Sequence, residues 1–260
     1  MNDEFSPRFA YEDSEDEFEK EEELTKFDLP LFKWLKSDGS AVPEVDVLLI
    51  GSGGGATYLN LNIPKKLIGG FLMPEMNLKS NPFDQFSVES SSCGLYEIGT
   101  TPKTYMLLCC CSIDSEASLL LGRAILSTLR PKKVIMLDAL DVSDYIPPRT
   151  NDAATTTSPI RYLQTSAAPW NCDFQMLEIP NIVKNLSGAI LTNCEIKGIP
   201  AALYLTFEDR RFKLEKPTNS YKEILSYLAT QSIVPQLPQC NKRSNPSTHR
   251  NTASNSTLYL

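Results

Sequence analysis

Apolar residues along this chain fall into short continuous runs and into rows spaced three and four apart, and each pattern predicts an element. Val45-Asp46-Val47-Leu48-Leu49-Ile50, closed by Gly51, is a run of strand length, and so is Tyr105-Met106-Leu107-Leu108-Cys109-Cys110-Cys111. A run apolar on both faces belongs to a strand covered on both sides. Ala117, Leu120, Leu121, Ala124 and Ile125 follow at helical spacing, before a third run, Lys133-Val134-Ile135-Met136-Leu137. Ser112–Ser115 offer caps, Glu116 suits a helix's first turn, and Pro131 stops the helix. Strand, helix and strand with short joints predict a βαβ unit whose two strands are parallel neighbours.

Beyond it, residues 151–158 are rich in Thr and Ala and predict a loop. Leu186, Ala189, Ile190 and Cys194 mark a helix face that ends near Gly198. Pro200–Phe207 reads as a strand with its proline at the permitted first position. Tyr221, Ile224, Leu225 and Leu228 predict a last amphipathic helix. The expected fold class is α/β: one domain over residues 27–233, with a mostly parallel sheet covered by helices on both faces.

Charge divides the chain differently. The whole carries a net −7, but residues 1–23 hold eleven acids against two basic residues, a net −9. Residues 235–260 hold Lys242, Arg243 and Arg250 with no acid, a net +3. What lies between is close to neutral. Residues 1–26 therefore read as an acidic disordered arm, and 234–260 as a flexible polar tail. A near-neutral body lacks the basic footprint of a nucleic-acid binder. No stretch approaches the ~20 apolar residues of a membrane span, and the acidic start has neither basic n-region nor h-region. The expected localisation is cytoplasmic, compatible with a nuclear pool, with no membrane or nucleic-acid partner. The seven cysteines are then expected as thiols.

Three features bear on chemistry. Gly51-Ser52-Gly53-Gly54-Gly55-Ala56 follows a strand and fits the dinucleotide fingerprint, in which glycines let backbone approach a pyrophosphate at a helix N-terminus. Thr57–Asn62 is poor helix sequence and Pro64 follows, so a glycine-rich turn with no helix is the preferred reading. The Cys109–Cys111 triplet closes an apolar strand and has no histidine base in the body, which favours packing over reactivity. The sole histidine, His249, lies in the tail, so neither a Ser-His-Asp arrangement nor a four-ligand zinc site is available. Asp138, Asp141 and Asp144 follow the third strand, where α/β sheets bind ligands, and read as solvated loop acids. No enzyme activity, metal or cofactor is expected.

What these readings leave over is the end of the sequence. A solvated tail gains nothing from Leu258, Tyr259 and Leu260. The stretch Leu177-Glu178-Ile179-Pro180-Asn181-Ile182-Val183, with Leu186, Ala189-Ile190-Leu191, Cys194, Ile199-Pro200-Ala201 and Leu203-Tyr204-Leu205, resembles the proteasome assembly chaperone 1 family. The resemblance is best over 177–208 and looser but collinear from Val45 through Leu228. It includes Val142-Ser143-Asp144-Tyr145 and the acidic N-terminus. The glycine run at 51–56 matches no motif of the family.

That resemblance implies a fold similar to nucleoside phosphorylases without their activity. It implies a heterodimer with a second assembly chaperone that binds proteasome α subunits, promotes α-ring formation and prevents α-ring dimers. It also assigns Leu258-Tyr259-Leu260 to a C-terminal hydrophobic–tyrosine–any-residue motif for a pocket between α subunits. Two other readings stay open on the sequence. The same three residues fit a PDZ ligand captured by strand addition, and the body fits a nucleoside- or nucleotide-binding enzyme.

Overall fold

The structure, a computed structural model, describes residues 30–35, 44–72, 92–109, 113–147, 159–209 and 218–235. The strands are β1 (Leu31–Trp34), β2 (Val45–Ser52), β3 (Lys66–Leu72), β4 (Ser92–Thr100), β5 (Lys103–Cys109), β6 (Pro131–Asp141), β7 (Ile160–Gln164), β8 (Gln175–Met176) and β9 (Ala201–Glu208). The helices are α1 (Gly53–Asn62), α2 (Ser115–Leu129), α3 (Asn185–Lys197) and α4 (Thr218–Thr230).

Among the described residues these strands form one sheet in the order β1-β3-β4-β5-β2-β6-β9-β7-β8. The predicted parallel pairing occupies its centre, β5-β2-β6-β9. On one side β1, β3, β4 and β5 pair antiparallel in series; on the other β7 pairs antiparallel with β9 and the short β8 pairs parallel with β7. The sheet is therefore mixed. The βαβ unit is also corrected. β5 and β6 run parallel through α2, but they are not neighbours, because β2 lies between them and pairs with both. An apolar strand such as β2 is best placed where both its edges are hydrogen-bonded and neither meets water.

Alternation along the strands splits the core into two layers. Leu48 and Ile50 of β2, Leu107 of β5, Val134 and Met136 of β6, and Leu203 of β9 face α2 and α3. Val47, Leu49, Met106, Ile135, Leu137 and Tyr204 face the opposite way, toward α1 and α4. The helices thus cover both faces, as the apolar runs require.

Element ends follow local chemistry. α2 closes on Arg130 in the left-handed region (φ 43°), and Pro131 opens β6, where its missing N–H costs least. Gly198 (φ 64°) closes α3, its N–H donating to the carbonyls of Cys194 and Glu195. Cys194 is fully buried in the α2–α3 layer, and burial pushes its thiol up to about 12. It should therefore resist alkylation at about pH 8 in the native protein and react once unfolded; differential labelling with mass spectrometry checks this. Cys109 is buried too, in keeping with packing, while Cys110 and Cys111 lie outside the described residues.

The expectation of no helix after Gly51 is overturned: α1 begins at Gly53. Its sequence, GGGATYLNLN, is poor in intrinsic propensity, so tertiary packing makes the helix. Ala56, Tyr58 and Leu59 are buried against the sheet. The approach is close enough that a methyl group on Gly55 would stand 2.3 Å from the carbonyl oxygen of Leu137 in β6.

Candidate functional site

A crevice of about 370 Å³ opens at the carboxyl ends of β2, β5 and β6. Strand order turns around β2, and such switch points are where open α/β sheets place ligands. Gly53 at the start of α1 and Asn185 at the start of α3 both line it, so two helix N-termini meet there.

Its carboxylates come from two strand residues and one turn residue. Asp138 accepts the Ala139 N–H on Oδ1 (2.8 Å) and the Ser187 hydroxyl on Oδ2 (2.5 Å). Asp141 accepts both the N–H and the hydroxyl of Ser143 at 2.9 and 2.7 Å. Asp144 pairs with Lys184 at 3.3 Å across the mouth. The reading of all three as loop acids holds for the exposed Asp144 and is corrected for Asp138 and Asp141, which belong to β6. Each carboxylate is served by its own donors, so the arrangement is that of a structured rim. Among the described residues, no three His, Cys, Asp or Glu side chains converge as a metal site.

The glycine run now has a structural context. Gly53 takes φ 52°, and Gly54 faces the carboxyl group of Glu208 so closely that a methyl on Gly54 would lie 1.6 Å from Oε1. The Tyr221 hydroxyl closes the same corner, accepting from Thr206 (2.8 Å) and donating to the carbonyl of Asp138 (3.3 Å). In a dinucleotide site the second glycine, here Gly53, admits the ligand's pyrophosphate, and a methyl on Gly53 would lie 3.3 Å from Oδ1 of Asp138, with Glu208 against the residue that follows. Here the chain's own carboxylate takes up the space beside the first turn of α1.

Beside the crevice, two segments interlock. Asn181 accepts the Ile146 N–H (2.7 Å) and donates to the Ile146 carbonyl (2.9 Å), tying residues 142–146 to 176–182. Beneath them Arg161, in β7, is 2% exposed. Its Nε donates to both oxygens of Glu178 at 2.9 and 3.0 Å, and its Nη2 donates to the Tyr145 hydroxyl at 3.2 Å. Above this buried pair Ile146, Ile179 and Ile182 stand in solvent.

Leu258, Tyr259, Leu260 and His249 lie outside the described residues. The residues missed by sequence reasoning are Glu208, which bears on the glycine run, and the Arg161–Glu178 pair. A charge within a short apolar strand, as in Ile160–Gln164, was the available signal for Arg161.

The family described as "Proteasome assembly chaperone 4" matches residues 72–260. Curated relatives bear the name proteasome assembly chaperone 1. That of Mus musculus is 29% identical over 152 residues, covering 56% of this chain and 51% of the relative. That of Homo sapiens is 28% identical over the same length and the same shares. The chain spans about half the length of the curated relatives it matches. Among solved structures, Pyrococcus furiosus PbaB, an archaeal proteasome activator, superposes with a TM-score of 0.51 at 12% identity, covering 77% of this chain and 88% of that one. Pyrococcus furiosus PbaA, an archaeal homologue of proteasome-assembly chaperone, gives 0.50 at 14% identity, covering 77% and 86%. At such identities the two structures speak for the fold, and the family match carries the kinship. The chain belongs to the proteasome assembly chaperone family, and the curated relatives it resembles are chaperone 1 proteins.

Proposed function

We propose that this chain is a non-enzymatic chaperone for assembly of the proteasome core particle. It works in the cytoplasm as a heterodimer with a second assembly chaperone, binds α subunits, promotes closure of the α ring and prevents off-pathway α-ring dimers. The observation that carries the reading is the family match across residues 72–260. Leu258-Tyr259-Leu260 anchors in a pocket between α subunits. Leu258 contributes roughly 1.5–3 kcal/mol if fully buried, and Tyr259 offers a ring and a hydroxyl that needs a partner. Ordering each tail residue costs about 1–2 kcal/mol, so the motif alone binds weakly and the folded body supplies avidity.

The test is capture from lysate with the intact chain and with Tyr259→Ala, the captured proteins being identified by mass spectrometry. The intact chain is expected to bring down a second assembly chaperone and α subunits. The variant should keep the chaperone and lose about tenfold or more of the α subunits. Undiminished α-subunit capture by the variant removes the anchoring role, and capture of no proteasome component removes the function.

A nucleotide-binding enzyme is the reading from another class. The presence of α1 behind the glycine run favours it, and the Glu208 carboxylate against Gly54 opposes it. Calorimetric titration with purine nucleosides and nucleotides is expected to show no binding tighter than about 1 mM.

A further inference from the structure

Nine large apolar side chains are exposed among the described residues, and five of them come from the two interlocked segments: Val142, Ile146, Met176, Ile179 and Ile182. Ile179 is 94% exposed and Ile182 72%. The five offer on the order of 500 Å² of apolar surface, at the upper end of what a monomer shows to water. A standard interface takes about 800 Å² from each partner, with an apolar core inside a polar rim. This cluster has the size of such a core.

We infer that this face, built from residues 142–146 and 176–182, is where the second assembly chaperone packs, through an apolar and uncharged surface of its own. The assignment rests on the heterodimer reading above. Charge selects the occupant. Among the described residues the cations beside the cluster are already paired within the chain, Arg161 with Glu178 and Lys184 with Asp144, while the Asp141 carboxylate is held by Ser143. A nucleic acid or an anionic membrane needs uncompensated cations, which these pairs do not provide. An acidic peptide likewise meets no uncompensated cation among the described residues. The apolar extent of the cluster suits a folded protein face that buries apolar area.

Rigidity fits the same occupant. Asn181 bonds across the two segments, its N–H also donating to the Glu178 carbonyl (2.9 Å), and Tyr145 packs edge-on to Phe207 with ring centroids 4.6 Å apart. A surface held in place before binding loses little freedom on docking.

The test uses the full chain and its second assembly chaperone, purified separately and mixed. Complex mass is measured by light scattering and affinity by calorimetry. Ile179→Asp with Ile182→Asp is expected to weaken the complex by about 100-fold. Ile196→Asp is the control: it is 78% exposed at the opposite end of α3, and it should change affinity by no more than about twofold. Met176→Lys, on β8, should weaken the complex in the same direction as the double variant and guards against an idiosyncratic effect of the paired aspartates. Because these side chains are solvent-exposed, the melting temperature of each variant should match that of the parent.

Full affinity in the double variant overturns the surface and leaves the heterodimer standing. An intact chain that forms no complex with the second chaperone overturns the heterodimer, and this surface with it. A homodimer of the intact chain that the double variant abolishes overturns the choice of occupant.

Discussion

Glu178→Ala is expected to lower folding stability by about 3–5 kcal/mol, because it removes the carboxylate that a buried guanidinium pairs with. The Arg161 side chain is 3% exposed and that of Glu178 is 13%. Nε of Arg161 serves both carboxylate oxygens, Nη1 donates to the Ile160 carbonyl at 3.1 Å, and the guanidinium lies 5.4 Å from the Phe207 ring centre. Every one of these contacts holds the charge in place, and among the described residues Glu178 is the carboxylate that pairs with it. A double change, Arg161→Met with Glu178→Leu, should recover most of the loss, since well-packed apolar groups replace a buried ion pair at little cost. Urea unfolding of the parent, the single and the double variants checks both claims.

The pair also sets a pH dependence. Burial works to raise the Glu178 pKa, but the hydrogen bonds from Arg161, from its own backbone and from Tyr145, with the Arg161 charge, outweigh it and hold the carboxyl below its ordinary 4.5. A carboxyl depressed in the folded state contributes stability that is complete above its unfolded value and is lost as pH falls through the folded one. The advantage of the parent over Glu178→Gln should therefore be constant above 4.5 and decline below it.

Gly55→Ala is expected to cost about 3 kcal/mol, at the upper end of what overpacking does. The added methyl would stand 2.3 Å from the Leu137 oxygen and 2.7 Å from its carbonyl carbon. Both are backbone atoms of a central strand, hydrogen-bonded on each side, and neither can rotate away. Helix propensity returns only ~1 kcal/mol for the exchange of glycine for alanine. Relief requires α1 to lift, which loosens Ala56 and Leu59 in the core. Gly198→Ala is the contrast. It meets nothing within 4 Å and pays only for its φ of 64°, about 1 kcal/mol. Thermal unfolding of the two variants should separate steric collision from backbone strain.

The same two glycines show why the sequence was legible in some places and silent in others. Gly198 ends a helix by its own backbone geometry, and so its role was readable. Gly55 acts through Leu137, eighty-two positions away, and no local pattern announces that meeting. The central strands were readable because burial on both faces writes an unbroken apolar run, and α2 and α4 because one buried face writes a row. α1 was not, because packing holds it against its propensity. β3 and β4 were hidden by Gly69-Gly70, Gly94 and Gly99, which break the run a strand otherwise shows. The place of β2 between β5 and β6 was hidden as well, because any apolar strand can pair with any other. Asp138 and Asp141 were legible as residues at a strand's carboxyl end. Ile179 and Ile182 carried the family resemblance, but nothing in their short stretch told that they stand in water.

The course of β6 has one more consequence. Its Lys133 stands level with Val47 of β2, which pairs in turn with Thr104 of β5. Near that end the described chain finishes, Pro235 lying 3.4 Å from where a methyl on Gly99 would be. The isoleucine face begins past Asp141, roughly 26 Å further along the same strand at about 3.3 Å per residue. The described chain thus leaves the sheet at one pole and presents its isoleucines at the other, so the segment after Pro235 sets out from ground that a partner seated on the isoleucines leaves uncovered.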